Sequence, residues 1–150
     1  MFSFKLQKIL ELRIDNEKQS SIFYTSLLLK KEMLDNIVLK EKNGYFHDRE
    51  LWTEAVKIGD MSKQAIFDQA IENRKKKIMA LFENINSLKD EIAIAEMDLK
   101  ESRKKLKILE KIREKSKKNY DSSIIKKDKK EMDEYGLKKY RQEHINIRAK

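Results

Sequence analysis

The stretch IENRKKKIMALFENINSLKDEIAIAEMDLKESRKKLKIL, residues 71–109, decides the fold. Within it an apolar residue recurs every seven positions, and a second, mostly apolar column follows three or four residues later, which is the a/d pattern of a coiled coil. The first column is Ile71, Ile78, Ile85, Ile92, Leu99 and Leu106, and the second holds Leu81, Leu88, Ala95 and Leu109, interrupted by Arg74 and Ser102. With Phe67 as its first apolar contact, this pattern predicts a helix from about residue 62 to at least residue 118, about 85 Å long.

The first half of the chain also has a helical spacing of apolar residues, although its heptad phase is less regular. A single amphipathic helix leaves its apolar stripe in water, whereas two helices joined by a short turn bury each other's stripes. The sequence therefore predicts an all-α protein, a long antiparallel two-helix coiled-coil hairpin with an overhanging C-terminal helix. The residues expected to supply the first arm's stripe are Leu6, Ile9, Leu10, Phe23, Leu27, Leu34, Ile37 and Val38.

Two turn signals compete for the elbow of this hairpin: Asn43-Gly44 and Gly59-Asp60. The helical spacing of apolar residues continues between them, which favours the second and leaves Gly44 as a kink or weak point within the first arm. We therefore expect residues 1–150 to form a single coiled-coil domain with helix 1 at about 3–57, a turn at about 58–62 and helix 2 at about 62–145, begun by Ser62. The second arm is longer, so about two dozen C-terminal residues or more have no partner in the hairpin.

Composition agrees with long solvated helices. The chain is 41% charged and contains no proline, no cysteine and three glycines, a composition that disfavours disordered, all-β and disulfide-bonded structures. The net charge of +9 is uneven, because residues 100–150 carry 19 Lys and Arg against 9 Asp and Glu. A basic segment of this kind can meet nucleic acid, an acidic membrane or an acidic protein surface.

No catalytic or metal-binding pattern is present in the sequence. His47 and His144 are isolated from each other, and the carboxylates alternate with lysines as on the flanks of a coiled coil. We therefore expect no enzyme activity, no metal and no cofactor. Near the proposed elbow, the aromatic residues Tyr45, Phe46 and Trp52 could form a binding patch or pack into the seam.

Three segments in this order resemble the flagellar FliJ family of type III export proteins. They are FKLQKILELR at residues 4–13, LEKIREKS at residues 109–116 and KKEMDEY at residues 129–135. The resemblance implies a stalk-like hairpin that works with the hexameric flagellar export ATPase, the cytoplasmic domain of the export gate and the export chaperones. It also implies a monomer in the cytoplasm, peripheral to the inner membrane through its partners.

The resemblance further implies two binding surfaces. The paired chain ends would face the ATPase through Phe4, Leu6, Lys8, Met132, Asp133, Glu134 and Tyr135. A patch near the start of helix 2 would face the export gate through Phe67, Ala70, Ile71 and Arg74, with Ala70 and Arg74 departing from the family's pattern of an aromatic and a leucine at those places.

Two other functions fit the composition. The basic C-terminal third could bind nucleic acid through its charge, although acidic residues interrupt it and aromatic residues form no stacking platform, so no specific nucleic acid is expected. Alternatively, the chain could be a structural tether, which would form a parallel dimer rather than a monomeric hairpin.

Overall fold

Two helices make up the fold in the computed structural model, which describes residues 1–148. Helix α1 is Gln7–Ile58, with 52 residues, and helix α2 is Met61–Arg148, with 88 residues. The described chain contains no strand. The two helices pack against each other, and the predicted all-α helical hairpin is thereby confirmed.

The turn between the helices consists of Gly59 and Asp60. Gly59 has a φ of 81°, and its N–H donates to the Val56 carbonyl at 3.2 Å while the Asp60 N–H donates to the Ala55 carbonyl at 3.0 Å. This is the Schellman pattern, in which a glycine in the left-handed region ends a helix. The turn therefore lies at the second of the two sequence signals.

Helix α2 begins with a side-chain cap from Asp60. The Lys63 N–H donates to Asp60 Oδ1 at 3.1 Å, which satisfies a backbone donor that has no partner within the helix. The expectation that Ser62 begins the helix is wrong, because Ser62 already lies within α2 and the capping carboxylate lies two residues earlier. Gly44, the other turn candidate, lies inside α1.

The chain divides into a middle unit, Asp15–Arg103, and an end unit formed by Met1–Ile14 with the chain from Lys104 on. In the middle unit, Leu27, Leu88 and Ala95 form a buried cluster against which Tyr24, Leu34 and Ile92 pack. In α2, every residue of the first predicted apolar column, from Ile71 to Leu106, is buried or half-buried. Arg74 and Ser102, the polar residues that interrupt the second column, are half-buried too. The heptad column of α2 is therefore the seam.

Helix α1 contributes a seam that is strictly heptad but partly polar. Four residues expected in it are exposed instead, Leu6, Ile9, Phe23 and Ile37, with Phe23 at 56%. The inward positions are residues 10, 17, 24, 31, 38, 45 and 52 with residues 13, 20, 27, 34, 41, 48 and 55, and all fourteen are buried or half-buried. Among them are polar and charged residues: Arg13, Glu17, Ser20, Lys31, Glu41 and Asp48. The positions of apolar residues alone therefore do not identify the inward side of α1.

In the end unit, pairing of the two arms finishes at an aromatic contact. The rings of Phe2 and Tyr120 lie 5.6 Å apart, and Leu10 is buried one turn into α1. Residues 121–148 of α2 are all exposed. The C-terminal part of α2 is therefore an overhang without an intramolecular partner over its described length.

The turn geometry predicts opposite effects of one substitution at two glycines. Gly59→Ala places a side chain at positive φ and should lower the free energy of unfolding by about 1 kcal/mol or more. Gly136→Ala, in the exposed overhang, replaces glycine by a better helix former and should leave the free energy of unfolding unchanged or raise it. Urea unfolding followed by circular dichroism measures both. Equal effects at the two positions would contradict the role of Gly59 in the turn.

Candidate interaction surfaces

A half-buried arginine cluster joins the two helices in the middle unit. Arg74 Nε donates to Asp48 Oδ2 at 2.6 Å, and its Nη1 donates to Glu41 Oε2 at 3.0 Å. Lys77 Nζ lies 2.8 Å from the second Glu41 oxygen. Asp48 is only 9% exposed. We name Glu41, Gly44, Asp48, Arg74 and Lys77 the Arg74 cluster.

Gly44 belongs to this cluster because it leaves room for the guanidinium. A Cβ built at Gly44 would overlap Nη1 and Cζ of Arg74. The glycine therefore serves as the gap through which an arginine of α2 reaches two carboxylates of α1, one turn before it and one turn after it. Its expected role as a kink or weak point in α1 gives way to a packing role.

The charges of the cluster reinforce one another. The hydrogen bond from Lys77 is the largest influence that lowers the pKa of Glu41, and Arg74 adds to it, while burial acts in the opposite direction. The hydrogen bond to Asp48 is the main cause that raises the pKa of Arg74. Both shifts favour the charged forms, as expected when an opposite charge lies within hydrogen-bond distance.

A second polar layer lies further along the same unit. The hydroxyl groups of Ser20 and Ser102 are 3.3 Å apart across the seam, and Arg103 Nε donates to Glu17 at 3.3 Å beside them. Because Ser102 fills a seam position of α2, this layer occupies the place of an apolar pair. Both interruptions of the α2 column thus find polar partners on α1.

The four residues expected to face the export gate lie together near the start of α2. Phe67, Ile71 and Arg74 are at seam positions and half-buried, and Ala70 is half-buried beside them. Arg74 is occupied by Glu41 and Asp48. Only the outer parts of these side chains are open to a partner.

An apolar groove of about 500 Å³ lies beside this patch on the other side of Arg74. Phe46 and Met79 on its walls are 59% and 66% exposed. Sequence reasoning missed this groove, because it is made by two helices and no single segment signals it. Its lining is Lys42, Tyr45, Phe46, Lys75, Ile78 and Met79.

The aromatic residues near the predicted elbow differ in their environment: two pack in the seam and one is exposed. Tyr45 and Trp52 are half-buried at seam positions, and the Trp52 Nε1 is buried without a hydrogen-bond partner. Phe46 points outward and lies 5.5 Å from the Tyr45 ring. Tyr45 and Trp52 therefore pack in the seam, and Phe46 lies on the wall of the outer groove.

The residues expected to face the ATPase form two zones in the end unit. Phe4 is half-buried, and Leu6 and Lys8 are exposed next to it. Met132, Asp133, Glu134 and Tyr135 are exposed on the overhang. Since Phe2 contacts Tyr120, the second zone begins twelve residues beyond that contact, about 18 Å along the helix.

Other kinds of site are not indicated in residues 1–148. No group of three or more acidic, histidine or cysteine side chains there could hold a metal ion. In the same residues, neither helix has a segment of the length and apolarity needed to cross a membrane. His144 pairs with Tyr140 on the exposed overhang, with 3.1 Å between Nε2 and the hydroxyl.

Comparison with protein families gives one decisive match. The family model described as flagellar FliJ protein matches residues 2–144, which is nearly the whole chain and includes both helices. The chain belongs to the FliJ family. Membership makes it a component of the flagellar export apparatus, in a family of non-enzymatic proteins. It also confirms the resemblance that the three sequence segments indicated.

No curated protein and no solved structure matches the chain.

The Arg74 cluster predicts that the effect of a methyl group at Gly44 depends on Arg74. In an Arg74→Ala background, Gly44→Ala should raise the free energy of unfolding by about 1 kcal/mol, because alanine is the better helix former. With Arg74 present, the same methyl displaces the guanidinium, and the gain should disappear or reverse. Urea unfolding of the four proteins gives the coupling free energy. Additive effects would show that the guanidinium does not depend on the gap at Gly44.

Proposed function

We propose that this chain couples the flagellar export ATPase ring to the cytoplasmic domain of the export gate and escorts export chaperones. It would act at the cytoplasmic face of the inner membrane, held there by its partners. The observation that carries the proposal is the FliJ family match over residues 2–144. Both arms of the hairpin and most of the overhang are included in that match, so the proposal concerns the whole hairpin and not one segment of it.

The end unit supports contact with the ATPase. Met132 and Tyr135 are 75% and 71% exposed and lie three residues apart, so they share one side of the overhang. Exposed apolar side chains beside the carboxylates of Asp133 and Glu134 give a partner both apolar and charged contacts. The exposed side chains of Leu6 and Lys8, with the half-buried Phe4, form the other zone, on the N-terminal segment. We propose that loops of the ATPase ring bind these two zones.

The middle unit supports contact with the export gate. The outer parts of Phe67, Ala70 and Ile71 are accessible, and the groove that contains Phe46 and Met79 adds apolar surface nearby. Arg74 holds α1 against α2 at this point, so its contribution to gate binding is through the positions of its neighbours. Binding to the gate through this surface needs no chemical step by the chain.

Removal of the overhang should separate folding from ATPase contact. A chain that ends at Ile125 keeps every seam position and the Phe2–Tyr120 contact, so its unfolding free energy should stay within about 0.5 kcal/mol of the full chain. Its stimulation of the export ATPase and of ring assembly should be lost. ATP hydrolysis by the purified ATPase with added chain measures this. Full stimulation by the shortened chain would show that the overhang is only a solvated helix end.

Point variants sharpen this test. Met132→Ser with Tyr135→Ser should reduce the stimulation, while Ile145→Ser with Ile147→Ser, which removes comparably exposed apolar side chains nearer the C-terminus, should not.

Gate contact should respond to changes in the middle unit alone. Ala70→Glu and Phe46→Ser should each weaken binding of the isolated gate cytoplasmic domain by about tenfold, which corresponds to about 1.4 kcal/mol. ATPase stimulation should remain. Ala80→Glu, at an exposed α2 position outside the patch, is the matched control for Ala70→Glu. Titration calorimetry measures the affinities, and equal weakening by Ala70→Glu and Ala80→Glu would contradict the proposed surface.

A further inference from the structure

Helix α1 contains an eleven-residue stretch without charge, residues 19–29, in a chain that is 41% charged. Its seam residues Ser20, Tyr24 and Leu27 face α2. Its outward side nevertheless carries large apolar side chains next to the exposed Thr25 and Ser26, because Ile22, Phe23 and Leu29 are 65%, 56% and 57% exposed. Exposed apolar side chains that cluster on a surface mark sites of interaction with other molecules. The hairpin covers only the inner side of this stretch.

These outward side chains lie on one side of the middle unit. At 100° per residue from the seam, Phe23 and Met33 fall on the same flank of α1, and Ile22 and Leu29 fall on its outer side. On α2, the same spacing places Glu91 and Asp98 on the matching flank, with Ile94 and Glu101 further out on that flank. A groove of about 330 Å³ opens between the helices on this side, and both Lys30 and Glu91 line it.

The α2 part of this side is strongly acidic. Residues 90–101 contain five carboxylates and one lysine. That lysine, Lys100, pairs with Glu96, at the opposite flank. Within residues 1–148, Glu91, Asp98 and Glu101 form no ion pair. The surface therefore combines exposed apolar side chains on α1 with three carboxylates on α2, and Ile94 lies among those carboxylates.

We propose that this side of the middle unit binds a basic amphipathic helix of another protein. The partner's apolar stripe would cover Phe23, Met33 and Ile94, and its flanking Lys or Arg side chains would meet Glu91, Asp98 and Glu101. Helix-in-groove recognition uses such a stripe at positions i, i+3, i+4 and i+7. Charge complementarity selects a basic helix over an acidic one. This interaction is distinct from the proposed ATPase and gate contacts.

A second copy of this chain is the less suitable occupant. Its basic segment, residues 115–130, has only Tyr120, Ile124 and Ile125 as apolar residues, and Tyr120 already contacts Phe2. Ile124 has an apolar neighbour at helical spacing only in Tyr120, four residues earlier, and Ile125 has none within the segment. The segment therefore offers charge without the apolar stripe that this surface requires.

The test uses the full chain and a synthetic helical peptide with leucines at i, i+3, i+4 and i+7 and lysines elsewhere. Fluorescence anisotropy should show saturable one-to-one binding that weakens as salt rises, and no binding of the corresponding leucine–glutamate peptide. Glu91→Lys with Asp98→Lys should weaken binding at least tenfold. Asp68→Lys with Glu96→Lys makes the same change in net charge on the opposite flank and should have a much smaller effect.

The apolar part of the surface is tested in the same way. Phe23→Ser with Ile94→Ser should weaken binding at least tenfold, whereas Leu28→Ser with Leu39→Ser, on the other flank of α1, should not. Equal effects of the two charge reversals, or unchanged binding by the Phe23 and Ile94 variant, would overturn the proposal. Sedimentation that shows a dimer of the unmodified chain, broken by Phe23→Ser with Ile94→Ser, would also overturn it, because the occupant would then be a second copy.

Discussion

Arg74 places a guanidinium in the seam of a coiled coil, where two carboxylates of the opposite helix receive it. Half-buried charges of this kind are tolerated only when their partners are close and well directed, because unpaired they lose hydration without compensation. The partners here are specific to one alignment of the helices in the middle unit. A slip of one heptad would put Ile37 or Leu51 in the place of Gly44 and would remove one of the two carboxylates from Arg74. Apolar pairs discriminate less between such alignments, because one leucine layer resembles the next.

This constraint explains how a chain with few apolar residues forms a defined pair of helices. The buried apolar cluster around Leu27, Leu88 and Ala95 supplies the hydrophobic contribution, and its interdigitation tolerates several registers. The Arg74 cluster and the Ser20–Ser102 layer favour one alignment of α1 with α2, because their polar groups find partners only in that alignment. Buried polar residues that specify register at a cost in stability are known from coiled coils in general. The middle unit uses this principle between two arms of one chain.

The sequence could predict α2 but only part of α1, for a physical reason. Every seventh residue of α2 from Ile71 to Leu106 is apolar, so its seam is visible without knowledge of the partner. Helix α1 has an equally regular seam, but Glu41 and Asp48 occupy it, and a carboxylate at an inward position looks like a surface residue until Arg74 is known to face it. For Phe23 and Ile37 the error is the opposite one: apolar character predicts a seam position, but both are exposed, because apolar character alone does not reveal which side of a helix is covered.

The candidate surfaces were predictable to a similar extent. Unequal arm lengths are enough to predict an exposed overhang of about two dozen C-terminal residues or more, and the spacing between the two turn signals favours Gly59. The family resemblance predicts a gate-facing patch at Phe67, Ala70, Ile71 and Arg74, but it carries no information on the environment of these side chains, three of which lie at seam positions. The groove beside Phe46 and the acidic strip beside Phe23 depend on two helices at once, so they needed the paired structure.

The central claim, that Arg74 fixes the register of the arms in the middle unit, can be measured directly because the chain has no cysteine. Spin labels at His47→Cys and Lys76→Cys, both exposed positions, report the distance between α1 and α2 by double electron–electron resonance, with unlabelled chain added in excess to isolate intramolecular pairs. With Arg74 present, we expect a single narrow distance distribution. With Arg74→Leu we expect a broadened distribution with a second population, displaced by one heptad, about 10 Å along the helix. An unchanged narrow distribution in Arg74→Leu would show that the turn at Gly59 and the apolar contacts set the register without Arg74.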